Sequence, residues 1–283
     1  MKLGVLGAGV MGLGVTQCLA AAGHDVVVVD PNPDVLSAAP NRLRDGLRLH
    51  TLTGGDPAAL RDAPARIQWT HEIGELAAAE FVIECAPERP PLKEQLFAEL
   101  DRICPPDAVL ASCTSAIPIT GLAARTGRPG KVIGTHFMNP APHKPTVEVV
   151  RSPHTTDDTL ARTVDLLTSI DKTAIVVGDA PGFVTNRVLM LTLNQAITVL
   201  HEDTADATAV DHIFETCFGH PMGPLRTADL IGLDTVLDSL VVLRALLDDP
   251  AYDPCPLLVN LVAAGRLGRK SGHGFHTWPA PRG

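Results

Sequence analysis

Short apolar runs alternate with helix-like segments over the first two thirds of the chain. The runs are continuous instead of alternating with polar residues, and they lie at Leu3–Leu6, Val26–Val29, Ile67–Trp69, Phe81–Ile83, Val109–Ala111 and Val132–Ile133. Strands that are apolar on both faces are typical of a parallel sheet that helices cover on both sides. The pattern therefore predicts an α/β domain with a doubly wound sheet.

The pattern changes after Asp179, where strand-like runs give way to apolar residues at helical spacing. One set is Leu189, Leu193, Ile197 and Leu200, and a second is Val236, Leu240, Leu243 and Leu247. Apolar residues spaced in this way form one face of a helix. We therefore expect an all-helical second domain, with the domains at 1–181 and 182–283.

The composition of the chain argues against several classes of function. Of the 283 residues, 45% are hydrophobic, and the net charge is −9. This acidic balance argues against a nucleic-acid partner, since phosphate binding generally needs a clustered basic face. The six cysteines form no C-x-x-C pair, so no metal or redox motif is predicted, and scattered thiols are typical of the cytoplasm. No apolar run is long enough to span a membrane.

The segment GAGVMG at positions 7–12 matches the G-x-G-x-x-G pattern directly after the first predicted strand. Gly7 would make the tight turn, Gly9 would let the backbone approach a pyrophosphate, and Gly12 would let the helix pack closely. Met11 lies in the same turn, at a helix N-terminus whose dipole favours phosphate. Asp30 ends the next strand, where a carboxylate accepts ribose hydroxyls and repels a 2′-phosphate. We expect a Rossmann-like domain that binds NAD.

A histidine and a glutamate lie on two successive strand-like segments. His136 follows an apolar strand, and Glu148 lies inside the β-branched run Val147–Val150. A charge within such a run is costly unless it has a partner, and pairing would orient the ring and favour imidazolium. Oxidation of an alcohol needs a base for the hydroxyl proton. On spacing alone, a structural role at the strand end fits His136 equally well.

Two further polar residues stand where a substrate would be held. Ser115 follows a predicted strand end and could donate to a substrate oxygen, whereas Asn186 would lie in the first turn of a long helix. Both residue types also cap helices frequently, so a structural role stays open for each on this evidence.

These motifs together resemble the 3-hydroxyacyl-CoA dehydrogenases, in particular the short 3-hydroxybutyryl-CoA type. The resemblance extends over almost the whole chain and is carried by residues 7–12, 135–140, 179–187, 221–234 and 265–275. It implies an NAD-dependent dehydrogenase that interconverts short-chain 3-hydroxyacyl and 3-oxoacyl thioesters, as in fatty-acid metabolism. It also implies a homodimer formed through the helical domain.

The resemblance assigns roles to individual residues. It implies that His136 is the catalytic base, that Glu148 orients it, and that Ser115 and Asn186 hold the substrate. It further implies that the cofactor is contacted by Glu88 and Lys93.

Cys113 departs from the family pattern, because an asparagine usually stands at this position. The substitution removes an amide donor near the nicotinamide. We expect an inert small residue, since the sequence shows no neighbouring base, while a reactive thiol stays open.

The segment after Asp30 also departs from the pattern. The family's serine and lysine, which hold the nucleotide end of coenzyme A, correspond by register to Gly46 and Thr53. Arg42, Arg44 and Arg48 remain, and the last two would share one helix face, either as a solvated surface or as a docking site. An acidic acyl carrier protein would complement such a face.

This departure suggests an alternative function. The chain would then be similar to dehydrogenases that oxidise a carrier-bound glyceryl thioester for hydroxymalonyl or methoxymalonyl polyketide extender units. A third possibility is a catalytically retired, NAD-binding structural dimer. The related 6-phosphogluconate and 3-hydroxyisobutyrate dehydrogenases use a lysine on the second-domain helix, where this chain has Asn186, Arg187 and Val188.

Overall fold

A computed structural model describes residues 1–52, 54 and 56–279. The chain forms two compact units, Met1–Ala180 and Pro181–Gly283, so the break lies one residue before the boundary predicted from the sequence. Thr53, which corresponds by register to the family's lysine, lies outside the described residues.

The first unit is built on a sheet of eight strands in the described part of the chain. The strands are β1 Lys2–Leu6, β2 Asp25–Val29, β3 Ile67–Thr70, β4 Phe81–Glu84, β5 Val109–Ser112, β6 Val132–Phe137, β7 Thr146–Arg151 and β8 Thr173–Gly178. Their order is β3-β2-β1-β4-β5-β6-β7-β8, and only β6 and β7 run antiparallel. The predicted Rossmann-like α/β class is confirmed, and the order reverses between β1 and β4, where such sheets bind ligands.

Helices connect the parallel strands of this unit. They are α1 Val10–Ala21, α2 Pro33–Leu52, α3 Pro57–Asp62, α4 Pro90–Ile103, α5 Ile119–Ala123 and α6 Asp157–Ser169. Short 3-10 turns lie at Ala63–Arg66, Ile73–Ala78, Pro129–Lys131 and Ala141–His143. Helix α1 carries no charged residue and is buried over most of its length, because it packs beneath α2 and against the sheet.

As predicted, the described residues of the second unit form helices and short 3-10 turns, and two isolated β-bridges join His273 to Gly268 and to Thr277. The helices are α7 Thr185–His201, α8 Ala207–Cys217, α9 Pro224–Ile231, α10 Leu233–Leu247 and α11 Pro256–Ala263, with 3-10 turns at Pro250–Tyr252 and Arg269–Ser271. Leu193 and Ile197 are buried in α7 together with Met190, whereas Leu189 is half-buried. The buried stripe is therefore rotated slightly from the predicted one.

Two buried carboxylates fix the C-terminal segment of this unit. Asp229 accepts hydrogen bonds from the backbone N–H groups of Phe275 and His276, each at 2.9 Å, and from the Trp278 indole at 2.8 Å. Asp211 accepts a hydrogen bond of 2.8 Å from the ring of His276. Because these acids are buried, the polar atoms around them replace lost water.

Within the described residues, no helix combines the length and the apolar character needed to cross a bilayer.

Candidate active site

The three glycines of the loop between β1 and α1 have different steric surroundings. Gly7 has φ +106°, a conformation that side chains disfavour, and a Cβ there would lie 2.8 Å from the carbonyl oxygen of Cys85. A Cβ on Gly12 would lie 1.8 Å from the Gly7 oxygen, so only glycine allows α1 to begin this close to β1. Around Gly9, by contrast, a Cβ would meet no atom within 4 Å. The loop thus leaves open space at the helix N-terminus, which fits a pyrophosphate.

Asp30 lies directly after β2 and is tied to the same loop. Its Oδ2 accepts a hydrogen bond from the backbone N–H of Ala8 at 2.8 Å, and its Oδ1 accepts one from Asn32 at 2.9 Å. The carboxylate is half-buried and is held in place before any ligand binds. This placement fits the recognition of ribose hydroxyls expected from the sequence.

The end of β4 holds a buried ion pair that contains Glu84, a residue the sequence analysis did not single out. Its Oε1 accepts hydrogen bonds from Lys93 Nζ at 2.7 Å and from the Ala86 N–H at 2.6 Å, while Oε2 accepts one from Ser112 at 2.7 Å. Glu84 and Lys93 are 0% and 1% exposed. The only sequence signal was a carboxylate that ends a fully apolar strand.

Lys93 keeps its charge in this setting. Burial acts to lower the pKa of Lys93, but the carboxylates of Glu84 and Glu88 outweigh burial and raise that pKa above its ordinary value. The ammonium also donates to the Ala86 carbonyl at 3.0 Å. Lys93 therefore lies under the loop that follows β4 and holds it to the strand end.

Glu88 organises the loop that follows β5. Its Oε1 accepts hydrogen bonds from the backbone N–H groups of Ser115 and Ala116, at 2.9 and 3.1 Å, and from the hydroxyl of Thr114. Ser115 is half-buried in this loop. Glu88 and Ser115, predicted as cofactor and substrate contacts, are therefore directly linked at the carboxyl edge of the sheet.

His136 and Glu148 face each other across the antiparallel strands β6 and β7. They are partners in the strand register, and His136 Nδ1 lies 2.9 Å from Glu148 Oε2. Each side chain is 6% exposed. An ionised carboxylate only accepts hydrogen bonds, so Nδ1 carries the proton and donates it. The neutral ring then has its lone pair on Nε2, which is the form that a general base needs.

The same edge of the sheet carries the other parts of the site. Strands β1, β4, β5 and β6 run parallel, so the glycine-rich loop, Glu88, Ser115 and His136 all follow or close the carboxyl ends of neighbouring strands. Ligands of open α/β sheets bind at this edge. The first unit therefore brings the predicted base, the predicted cofactor loop and the predicted serine together.

Asn186 belongs to the second unit. It lies in the first turn of α7, and its side chain is 9% exposed. A buried amide requires hydrogen-bonding partners.

A groove of about 200 Å³ lies between α1, α2 and the segment Asn139–His143. Arg42 lines this groove. Gly46 faces α1 across this groove, and a Cβ there would lie 2.6 Å from the side-chain oxygen of Gln17.

Arg44 and Arg48 are exposed on α2. Arg48 lies 3.8 Å from Asp45, and Arg44 donates to the side chain of Asn41. Ion pairs this exposed contribute little to stability. Arg44 and Arg48 therefore form a solvated basic surface, and Arg42 is the arginine of this set that lines the groove.

Comparison with known proteins agrees with this geometry. Residues 2–180 match the 3-hydroxyacyl-CoA dehydrogenase NAD binding domain, and residues 182–278 match the C-terminal domain of the same family. A Deinococcus radiodurans protein named "Probable 3-hydroxybutyryl-CoA dehydrogenase" is 43% identical over 98% of this chain and 100% of its own length. A Bacillus subtilis protein of the same name is 44% identical over 97% of this chain and 96% of its own.

Solved structures agree as well. FadB2 of Mycobacterium tuberculosis superposes with a TM-score of 0.94 at 39% identity, covering 98% of both chains. The (S)-3-hydroxybutyryl-CoA dehydrogenase PaaH1 of Ralstonia eutropha gives 0.90 at 38% identity, covering 98% of this chain and 99% of its own. With both domain models matched in order, the chain belongs to the 3-hydroxyacyl-CoA dehydrogenase family and is an NAD-dependent oxidoreductase.

Proposed function

We propose that this enzyme interconverts 3-hydroxybutyryl-CoA and acetoacetyl-CoA. The observation that carries the proposal is the buried contact of 2.9 Å between His136 and Glu148, at the sheet edge that holds the glycine-rich loop. The names of relatives at about 40% identity over the full chain support a short acyl-CoA as substrate.

The roles of the residues follow from this arrangement. NAD, held by residues 7–12 and Asp30, supplies the hydride acceptor when bound. During oxidation, His136 Nε2 takes the proton of the substrate hydroxyl as hydride leaves carbon 3. Glu148 stabilises the imidazolium that results, and in the reverse direction the imidazolium returns its proton to the developing alkoxide. We assign substrate binding to Ser115 and Asn186 on the resemblance to the family.

The decisive assay is NADH consumption by the full chain with acetoacetyl-CoA. We expect turnover with NADH to exceed turnover with NADPH, and a four-carbon acyl group to be accepted. Absence of NADH consumption with every short 3-oxoacyl thioester would overturn the proposal and would favour a retired, NAD-binding protein.

Two observations favour a carrier-protein thioester as a second candidate. The basic surface of Arg44 and Arg48 is exposed, and Gly46 lacks the hydroxyl of the family. The test compares one 3-oxoacyl group on coenzyme A and on an acyl carrier protein, with the wild type and with R44A/R48A. For the carrier candidate, the double variant should raise KM for the carrier thioester alone. A lower KM for the CoA ester in the wild type would exclude it.

We propose that the second unit forms a homodimer. Three large apolar side chains on α7, α8 and the turn after α8 are exposed, namely Val188 at 61%, Ile213 at 48% and Phe218 at 65%. A groove of about 370 Å³ with a mainly apolar lining lies beside them. Exposed apolar patches of this kind mark interaction surfaces. Light scattering should give a molar mass twice that of one chain, and the variant V188E/I213E should have the mass of a single chain.

We also propose a cytoplasmic location, because the six cysteines are all free thiols in this fold. Cell fractionation with a tagged chain tests this.

A further inference from the structure

Two cysteines lie side by side where β4 and β5 end. The parallel register pairs Glu84 with Ser112, and the next residues are Cys85 and Cys113. The Cys113 N–H donates to the Glu84 carbonyl at 2.7 Å, so the strands are still paired at this point. Neighbouring strands lie about 4.8 Å apart, and the Cα separation of a disulfide usually lies between about 4.4 and 6.8 Å. The backbone spacing therefore suits a bond between these residues.

The side chains of this pair point to the same face of the sheet. Ser112 Oγ contacts Glu84 Oε2 at 2.7 Å, which places that residue pair on one face. Because successive side chains alternate between faces, Cys85 and Cys113 share the opposite face. Both residues are partly buried and pack against the core beneath α1.

The thiols polarise each other. Their mutual hydrogen bond raises the pKa of Cys85 and lowers the pKa of Cys113. Burial opposes this shift of Cys113, whereas the Phe137 backbone and Lys93 lower its pKa further. Cys113 is thus the better nucleophile, with a second thiol beside it. In contrast, burial raises the pKa of Cys18 and of Cys104 to about 11.

Cys85 is in contact with the glycine-rich loop. If Gly7 carried a Cβ, that atom would lie 2.8 Å from the carbonyl oxygen of Cys85. A Cβ on Gly12 would lie 3.5 Å from the Cβ of Cys85. The glycine-rich loop is therefore tightly packed on the side that faces Cys85. A displacement of Cys85 would therefore also displace the loop that is built to receive a pyrophosphate.

We propose that Cys85 and Cys113 form a peroxide-sensitive pair whose oxidation to a disulfide weakens dinucleotide binding. The Cys113 thiolate attacks a peroxide oxygen, the O–O bond breaks, and a sulfenic acid and water form. Cys85 then attacks the Cys113 sulfur, the S–O bond breaks and a second water leaves. Two thiols are oxidised by two electrons, and one peroxide is reduced to two waters. Bringing the two Cβ atoms to about 3.8 Å pulls Cys85 away from Gly7.

The test exposes the folded, full-length enzyme to hydrogen peroxide and follows NADH binding by fluorescence. We expect the NADH dissociation constant to rise by about tenfold or more, and dithiothreitol to restore it. Peptide mass spectrometry should find residues 85 and 113 linked. NADH binding is measured instead of turnover, so the result depends on the cofactor site of the family and not on the acyl substrate.

Three variants make the test specific. C85S and C113N should each be insensitive to peroxide relative to their own reduced forms. C104S is the matched control, because Cys104 and Cys113 share the fragment between Arg102 and Arg125, and this variant should respond like the wild type. A disulfide that joins Cys85 or Cys113 to a different cysteine would overturn the proposal. Unchanged NADH affinity in the linked protein, or an equal loss of affinity in C85S and C113N, would overturn it as well.

Discussion

Nδ1 of His136 and Oε2 of Glu148 lie 2.9 Å apart across two antiparallel strands, and both side chains are almost fully buried. The strand register makes them direct neighbours, so the contact does not depend on a mobile loop. A buried carboxylate beside a buried imidazole fixes both the orientation and the tautomer of the ring. The ring nitrogen that we propose as the proton acceptor is therefore oriented by the strand pairing itself.

Replacement of His136 by glutamine should reduce kcat by about 10²–10⁴-fold, because general acid–base catalysis contributes that much. The variant should fold and should bind NADH with wild-type affinity. Steady-state kinetics and NADH fluorescence measure these quantities. H154Q, which changes an exposed histidine, is the control and should leave kcat unchanged. Near-normal turnover of H136Q would remove His136 from its role.

Glu148→Gln should lower kcat by about 10²-fold with little change in KM, because a neutral amide stabilises an imidazolium less than a carboxylate does. The amide has nearly the same shape, so the midpoint of thermal unfolding should shift only slightly. A larger change in KM than in kcat would indicate that Glu148 contacts the substrate and does not act through His136.

Asp30→Asn should reduce the preference for NAD over NADP by about fivefold, since removing one charge near the 2′ position changes the interaction energy by roughly 1 kcal/mol. The ratio of kcat/KM for the two cofactors measures this. D34N removes an exposed acid at the start of α2 and serves as the control. If D34N changes the ratio as much as D30N does, the effect comes from net charge and not from the position of Asp30.

Lys93→Met should cost about 3–5 kcal/mol of unfolding free energy, because it leaves the carboxylate of Glu84 buried without its partner. The double variant E84Q/K93M should recover part of this loss, since no buried charge remains. Urea denaturation measures both. R125A, which removes an ion pair with Glu94 whose arginine is 54% exposed, should cost at most about 1 kcal/mol. Additive losses in the double variant would contradict the coupling.

Asp234 should make stability depend on pH in the acidic range. Burial acts to raise the pKa of Asp234, but hydrogen bonds from Lys270 and from the Thr235 N–H outweigh it and lower that pKa. The stabilisation is therefore present above the ordinary carboxyl pKa of about 3.9 and is lost as pH falls through the lower, folded-state value. The midpoint temperature of thermal unfolding should fall less steeply with decreasing pH in D234N than in the wild type. D238N, which changes an exposed acid on the same helix, should behave like the wild type.

The sequence was sufficient to predict the sheet because its strands are apolar on both faces. The run Phe81–Ile83 could only be stable when buried, and its strand, β4, is buried along its full length. The glycine pattern was equally informative, because Gly7 and Gly12 meet backbone requirements that no other residue meets, and Gly9 leaves open space at the helix N-terminus. The NAD-binding domain and the helical second unit were predicted from such local constraints and are confirmed.

Several parts of the site could not be predicted in this way. The sequence around Glu84 does not predict a salt bridge to Lys93, because the pair depends on how α4 packs behind β4. Asp229 likewise fixes a segment more than forty residues later in the chain through three hydrogen bonds. Sequence periodicity describes one element at a time, whereas these contacts join elements that are distant along the chain.

The sequence by itself determined on which elements the candidate residues lie, and it predicted which of them carry the chemistry, since burial periodicity and glycine geometry are properties of short segments. Only the tertiary structure decided that β7 runs antiparallel to β6, which brings the Glu148 carboxylate opposite the His136 ring, and that two cysteines meet beneath the glycine-rich loop. The physical reason is that strand direction and register are settled by long-range packing and hydrogen bonding, which no local segment encodes alone.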